Sequence, residues 1–405
     1  MIATKTKSSS SVAEFIIIIS MMMALTALSI DAMLPALPQI GNDLGIVNPN
    51  DRQLIISVIF LGQALGQLFF GPLSDKTGRR QAIFAGYALF IAGALLAALS
   101  TSFPIMLLGR IMQGIGVSAP RAVSTAMIRD LFEGRRMARI MSFAMAVFIL
   151  IPMVAPSIGQ GLMLIGGWRS IFGSFLLFAL ITVLWFGLRI PETLPLERRH
   201  PFSFQRISTS IVETLKIRAA LGFTLTGGLV LGVFVGYLNS SQQIFQDQYG
   251  LGEQFPLFFA ANALSMGLAS FLNARFVMRY GMLKMVQWAL AAIFGAALIF
   301  LAPAILFAGT PPLWLLMVFF LVAFFCIGIL FANVNSLAME PLGHMAGLGA
   351  AVVGSISTLI SMVLGIVIGG SYNGTILPLL LGMVLLMGLA NGVVRWTVAS
   401  QTPAS

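Results

Sequence analysis

Asp31 and Arg110 are the residues of this sequence most able to do chemistry, because each interrupts a long apolar run. An Asp at the centre of a lipid-spanning helix costs about 2.5–3.5 kcal/mol on insertion scales. The cost falls on the ionised form, which makes Asp31 a candidate proton acceptor. Counted from the ends of their runs, Asp31 and Arg110 both sit roughly 9 Å below the same face of the bilayer at 1.5 Å per residue. They could therefore meet across one cavity. Gln113, three residues after Arg110, shares its helix face. An acid, an arginine and an amide at one depth suit a proton and substrate site, and Gln63, Tyr237, Asn239 and Asn262 are further polar residues in apolar runs that could line it. Between helices the same side chains act as hydrogen-bonding glue worth about 0.6 kcal/mol each. Arg121, deeper on the same run as Arg110, suits a structural or snorkelling role.

A second group lies at a turn, Gly71-Pro72-Leu73-Ser74-Asp75-Lys76-Thr77-Gly78-Arg79-Arg80. Its glycines permit a tight crossing between two helices. Asp75 could bond the N-terminus of a helix in the other half of the chain, where the dipole favours an anion, and so latch one conformation. A fainter copy, Asn273-Ala274-Arg275-Phe276-Val277-Met278-Arg279-Tyr280-Gly281, follows later without the acid. The run around Pro152, Pro156, Gly159 and Gly161 predicts a kink and close helix approach. His200 and His344 lie in polar segments and do not read as proton relays. The sequence has no cluster with metal-ligand spacing, no nucleophile triad and no phosphate-binding glycine loop, which argues against an enzyme or an ATP-driven pump and leaves no cofactor to expect.

The elements that must hold these residues follow from composition. Of 405 residues, 58% are hydrophobic and only 9% charged, with a mean hydropathy of +0.98. A soluble domain carries roughly 25% charged residues. Twelve runs have the roughly 20 apolar residues that a spanning helix needs, at roughly 15–37, 54–74, 81–100, 104–127, 138–162, 168–189, 218–241, 255–278, 283–306, 313–334, 346–369 and 374–397. Each must be helical, since lipid offers no partner to backbone N–H and C=O groups. The expectation is an all-α membrane protein of twelve transmembrane helices.

A polar segment divides the chain into 1–190, a six-helix bundle; 191–217, a linker; and 218–405, a second six-helix bundle, a repeat about an axis along the membrane normal. Nineteen of the 23 lysines and arginines fall on one side, including Lys5, Lys7, Lys76 and Arg135. The net charge of +10 is therefore a topology signal rather than a sign of a nucleic-acid partner: both termini are expected in the cytoplasm. The single Cys326 excludes an intramolecular disulfide and is expected to pack in a span.

With these segments in place, the chain resembles the major facilitator superfamily, and within it the Bcr/CflA group of drug:proton antiporters. The 71–80 turn resembles the superfamily loop between spans two and three. Arg110-Ile111-Met112-Gln113-Gly114-Ile115-Gly116 is similar to the span-four motif of antiporters, and Asp31-Ala32-Met33-Leu34-Pro35-Ala36-Leu37-Pro38 to the span-one signature of the group. Arg129-Asp130-Leu131-Phe132 and the 335–347 segment fit the same group. The resemblance implies the major facilitator fold and export of small amphipathic compounds in exchange for protons. It gives Asp31 the role of proton acceptor and Arg110 that of its modulator. Gly71, Asp75, Gly78, Arg79 and Arg80 would serve the conformational switch, with Pro156 and Gly159 in span five. The usual Gly-Pro-x-x-Gly-Gly of that span reads Ala155-Pro156-Ser157-Ile158-Gly159-Gln160 here, and a second span-one acid found in some relatives is replaced by Met23.

The partners expected are a small-molecule substrate, protons and the lipid bilayer, for a monomer in a bacterial inner membrane. Two other functions remain open from sequence: a dedicated exporter or importer of one metabolite, and a non-transporting membrane receptor.

Overall fold

The computed structural model describes residues 11–399; for residues 135, 138, 142 and 145–149 it describes the backbone only. Lys5 and Lys7 lie outside the described residues, as does the side chain of Arg135. The described chain is helical: α1 (Val12–Asp31), α2 (Leu37–Asp43), α3 (Leu54–Thr77), α4 (Arg79–Ala98), α5 (Phe103–Leu131), α6 (Gly134–Arg189), α7 (Phe204–Lys216), α8 (Arg218–Gln242), α9 (Phe255–Tyr280), α10 (Met282–Leu306), α11 (Leu313–Met339), α12 (Ala346–Gly370) and α13 (Leu377–Ala399). Nine stretches among the described residues are long and apolar enough to cross a membrane, and one of them contains both α11 and α12.

Helix α6 is two spanning limbs. Gly166 and Gly167 break it with non-helical dihedrals, and Gly167 has φ 65°. Pro152 and Pro156 do not break it: the backbone stays helical through both, so the kink expected from that run falls instead at the two glycines. A proline inside an apolar helix forfeits one hydrogen bond but keeps a helical φ, whereas paired glycines let the chain reverse. With α6 counted as two limbs, α2 set aside as the extension of α1 and α7 as a linker helix, the long helices number twelve, as the apolar runs require.

The first run is not one helix. α1 ends at Asp31, a short 3-10 turn covers Leu34–Ala36, and α2 follows. Pro35 is the cause, since it has no N–H to give the Asp31 carbonyl four residues back. Asp31 is thus the last residue of α1, where the unpaired carbonyls of a helix end concentrate.

The two glycine-plus-arginine turns are structural equivalents. Gly78 (φ 102°, ψ 159°) ends α3 and starts α4, and Gly281 (φ 80°, ψ 155°) ends α9 and starts α10. Both need a conformation that residues with a Cβ rarely adopt. In the first half, α3 and α4 pack on α5, and α1 on α6; in the second, α12 and α13 pack on α8, and α11 on α9. Two seams join the halves, α3 against α12 and α6 against α9. Each seam pairs the second spanning helix of one half with the fifth of the other, as a twofold repeat demands. The linker contains α7, which lies on α8 and α12 and is tied to the α11–α12 connection by a hydrogen bond between His344 Nε2 and Glu213 Oε1 at 2.7 Å.

Candidate functional site

Arg110 is fully buried in α5 and makes three hydrogen bonds. Its Nε donates to the Ile55 carbonyl of α3 (2.9 Å), Nη1 to Gln113 Oε1 (2.8 Å) and Nη2 to the Ser29 carbonyl of α1 (2.8 Å). Gln113 thus shares the face of Arg110 as its spacing requires. The Ser29 carbonyl is available because α1 tightens at its end: Met33 N–H donates to Ile30 rather than to Ser29. Arg110 caps that free carbonyl, the favoured arrangement of a cation at a helix C-terminus.

Asp31 is buried beside this clamp, with 4% of its surface exposed, and is the only buried acid among the described residues. The expected meeting with Arg110 does not occur. No ion pair or hydrogen bond joins them, because the guanidinium is committed to three neutral oxygens. The Asp31 carboxyl has no hydrogen-bonding partner among the described residues. It also stands at the negative end of the α1 dipole, an adverse place for an anion. Gly159 on α6 packs against the backbone just past the end of α1: a Cβ there would lie 1.9 Å from the Ala32 carbonyl oxygen. Pro156 lies one helical turn before that contact. Gln160, where the related motif has glycine, buries an amide oxygen without a partner.

Close packing of α5 explains the glycines after Arg110. A Cβ on Gly114 would be 2.1 Å from the Ile59 carbonyl of α3, and one on Gly116 would be 2.5 Å from the Phe90 nitrogen of α4. Arg121 reaches an accessible surface and has interactions there.

At the end of the molecule that carries Asn50, uncharged side chains tie the halves together. Gln53 donates to Gln243 Oε1; Gln243 donates to Asn50 Oδ1 (2.8 Å). Asn50 donates to the carbonyls of Gly370 (3.0 Å) and Tyr372 (2.8 Å). Asn239, expected to line the cavity, belongs to this seam instead: its Nδ2 donates to Ser57 Oγ and to the Gly365 carbonyl, both at 2.8 Å. Further along α3, the Ser355 hydroxyl of α12 donates to the Ala64 carbonyl (2.7 Å). At the opposite end the halves part around a cavity of about 250 Å³, lined by Asp75, His200, Arg206, His344 and the first residues of α12. The seam yields a direct check. Cysteines replacing Gln53 and Gln243 together should be bridged by a short, reducible bifunctional thiol reagent, which should block transport, with reduction restoring it. Cys326 is buried and leaves the background low.

Network geometry also revises the reading of the 71–80 turn. Asp75 does not bond a helix of the other half; its carboxylate pairs with Arg79 (2.6 Å), although it faces the start of α12 across the cavity. Arg79 is buried and also binds Asp130 (2.9 Å) and the Ser74 hydroxyl (2.8 Å). The acid that does cap a helix N-terminus is Glu192 of the linker. Its carboxylate accepts from the backbone N–H of Arg79 (2.9 Å) and Arg80 (3.1 Å) at the start of α4, and of Thr193 and Leu194. A side chain on Gly78 would collide with that carboxylate, 2.5 Å from Oε2. Arg80 closes the other side, donating to the Ile190 and Gly187 carbonyls at the end of α6. Gly71 makes no close approach, and a Cβ there meets open space. Glu192→Ala should destabilise the protein by about 1–2 kcal/mol through loss of the cap, read as a lower melting temperature, while Glu197→Ala, at an exposed position, should not.

The remaining candidates lie on the inner faces. Gln63 and Gln113 each bury an amide nitrogen without an acceptor. Tyr237 and Asn262 are brought together, Asn262 Nδ2 donating to the tyrosine oxygen at 3.0 Å. Tyr237 stacks on Phe259 (5.8 Å, 27°) and meets the edge of Phe324 at 4.5 Å. Asp31, Gln63 and Gln113 belong to helices of the first half, Tyr237 and Asn262 to helices of the second. Sequence reasoning missed Asn50, Gln53, Gln243 and Glu192. The signal available for the first three was a density of amides at two run boundaries.

A family model described as Major Facilitator Superfamily matches residues 19–366. The chain is 32% identical over 358 residues to the uncharacterized MFS-type transporter YdgK of Bacillus subtilis, covering 87% of each. It is 30% identical over 379 residues to a bicyclomycin resistance protein homolog of Haemophilus influenzae, covering 91% of this chain and 92% of the relative. It is 28% identical over 386 residues to the multidrug resistance protein MdtL of Shewanella oneidensis, covering 93% and 95%. Among solved structures, the xylose transporter XylE of E. coli in a partially occluded inward-open conformation superposes with a TM-score of 0.73 at 13% identity, covering 94% of this chain and 96% of that one. The human organic anion transporter MFSD10 gives 0.69 at 20% identity, covering 95% and 98%. At these identities the two structures bear on the fold alone.

Proposed function

The chain belongs to the major facilitator superfamily, and from that premise we propose that it exports small amphipathic compounds, drugs among them, in exchange for protons. The observation that carries this reading is Asp31, a buried carboxyl without a hydrogen-bonding partner among the described residues, at the end of α1 beside the Arg110 clamp. A carboxyl held in that way has its protonation set by what else occupies the interior. A proton arriving from outside neutralises Asp31 and releases substrate outward; after the halves rock, Asp31 gives the proton to the cytoplasm and substrate binds again. The printed names of two relatives, for bicyclomycin and multidrug resistance, support the substrate class.

The rocking units in this reading are 1–190 and 218–405, joined by the linker 191–217. The Asn50 end faces outward, so the amide seam is the outer closure and the cavity beside Asp75 opens inward. Asp75, Gly78, Arg79 and Arg80 set the inner closure, and Gly159 with Pro156 lets α6 move against the end of α1. The protein sits in a bacterial inner membrane with both termini in the cytoplasm and works as a monomer, without a nucleic-acid partner. The distribution of basic residues supports that orientation.

Proton release from purified protein on addition of substrate tests the proposal, with lipophilic cations, neutral antibiotics and zwitterions screened at several pH values. Release with one of these classes is expected. Release with none, together with binding of a cellular metabolite, would replace drug export by a dedicated metabolite transporter.

A further inference from the structure

The seam between α6 and α9 contains a narrow cleft lined by Pro152 from the first half and by Phe234, Tyr237, Phe259, Asn262 and Phe324 from the second. Four of its walls are aromatic, and Tyr237, Phe259 and Phe324 among them are buried. Yet Asn262 Oδ1 is buried there without a hydrogen-bond partner, since Asn262 spends its Nδ2 on Tyr237. Tyr237 in turn accepts that bond, and its own O–H has no acceptor among the described residues. A buried acceptor left unmade is costly, and it is retained where a ligand or a water supplies the donor. The cleft as it stands has room for about one water molecule. Among the described residues Pro152 is the one wall contributed by the other half, so the cleft widens when α6 and α9 separate.

We propose that this cleft is the ring subsite of the transport cavity. It takes a planar aromatic ring that carries an N–H or O–H donor, the ring lying against Tyr237 and the donor meeting Asn262 Oδ1. The proposal rests on the export reading above and adds the chemistry of the substrate to it. Aromatic walls hold a flat ring at offset-stacked or edge-on geometry, as they already hold one another here. A site built around a buried polar group discriminates against a ligand lacking its complement, because that group is then left unpaired.

The test uses the full-length protein in proteoliposomes with an imposed proton gradient and three probes. Proflavine has a flat tricyclic ring with two amino groups. Acridine orange, used as its ring-N-methyl acridinium salt, has the same ring with every N–H methylated, and tetraphenylphosphonium is neither planar nor a donor. Wild type should transport proflavine with a kcat/KM about tenfold above acridine orange, the factor expected for one buried hydrogen bond. Asn262→Leu should erase that preference by lowering proflavine transport to the acridine orange level, with its melting temperature in detergent showing that the variant is folded; Asn262→Ala serves if the leucine is not accommodated. Tyr237→Leu should lower both acridines relative to tetraphenylphosphonium. A proflavine preference that survives Asn262→Leu, or equal effects on all three probes as for a site that only holds water, would overturn the subsite while leaving export intact. Transport of none of the probes by wild type would overturn the subsite, while the export reading falls only if the proton-release screen with neutral antibiotics and zwitterions is negative too.

Discussion

Asp31→Asn should abolish uphill export while leaving the protein folded and able to bind substrate. The replacement keeps the volume of the side chain and removes only its capacity to exchange a proton. It should be tolerated structurally because no hydrogen bond or ion pair to Asp31 is lost among the described residues. The size of the effect follows from the driving force. One proton entering at about 100 mV supplies about 2.3 kcal/mol, which supports a gradient of roughly 50-fold for a neutral solute at about 1.4 kcal/mol per factor of ten. In the variant the accumulation ratio in inverted vesicles should fall to about 1, and substrate-induced proton release should vanish. Downhill exchange of labelled for unlabelled substrate should continue. A variant that still concentrates substrate would remove Asp31 from the coupling and require another acid. Among the described residues no other acid is buried, so the result would count against proton coupling in the interior as a whole.

Why Asp31 could be found by reading residues, while its surroundings could not, has a physical answer. Charge in lipid is so expensive that a single Asp in an apolar run declares itself from composition. The same is true of Arg110 and of the run lengths, hence of the spans. The break after Asp31 was also written in the chain, in Pro35 and Pro38, because a missing N–H acts four residues back. Partner choice is another matter. Arg110 and Asp31 lie at one depth and carry opposite charge, yet the arginine binds neutral carbonyls. The Ser29 carbonyl is free only because of how α1 ends, and the Ile55 carbonyl, in the first turn of α3, comes within reach only because of how α3 packs on α5. Likewise Asp75 and Glu192 are both acids near the start of α4. Only the path of the chain after α6 decides that Glu192 reaches the free N–H groups. Asn239 reads as a cavity residue by its type and depth and is a seam residue by its rotation about α8. One-dimensional patterns give depth and face along a helix; they do not give which neighbour that face meets.

Arg110→Lys is the sharper test of what this arginine does, and its effect should be nearly as large as that of an apolar replacement. If Arg110 served only as a positive charge near Asp31, a lysine would preserve function. The geometry predicts otherwise. The guanidinium reaches α1, α3 and Gln113 through three different nitrogens and lies over the Phe172 ring of α6, with its central carbon 5.9 Å from the ring centroid. An ammonium is a point charge on a flexible stem and cannot span those directions. Losing two of the three bonds, each charge-assisted and worth about 1.5–3 kcal/mol when buried, would leave the Ile55 or Ser29 carbonyl and the Gln113 oxygen without a donor. The end of α1 would then be free to shift against Gly159, and with it the carboxyl that the proposed cycle depends on. The expected outcome is a lower melting temperature in detergent for Arg110→Lys and Arg110→Met alike. Proton release per substrate bound should fall in both variants, even at temperatures where they remain folded. Full activity in Arg110→Lys would assign the residue a purely electrostatic role and detach the clamp at Ser29 from the transport cycle.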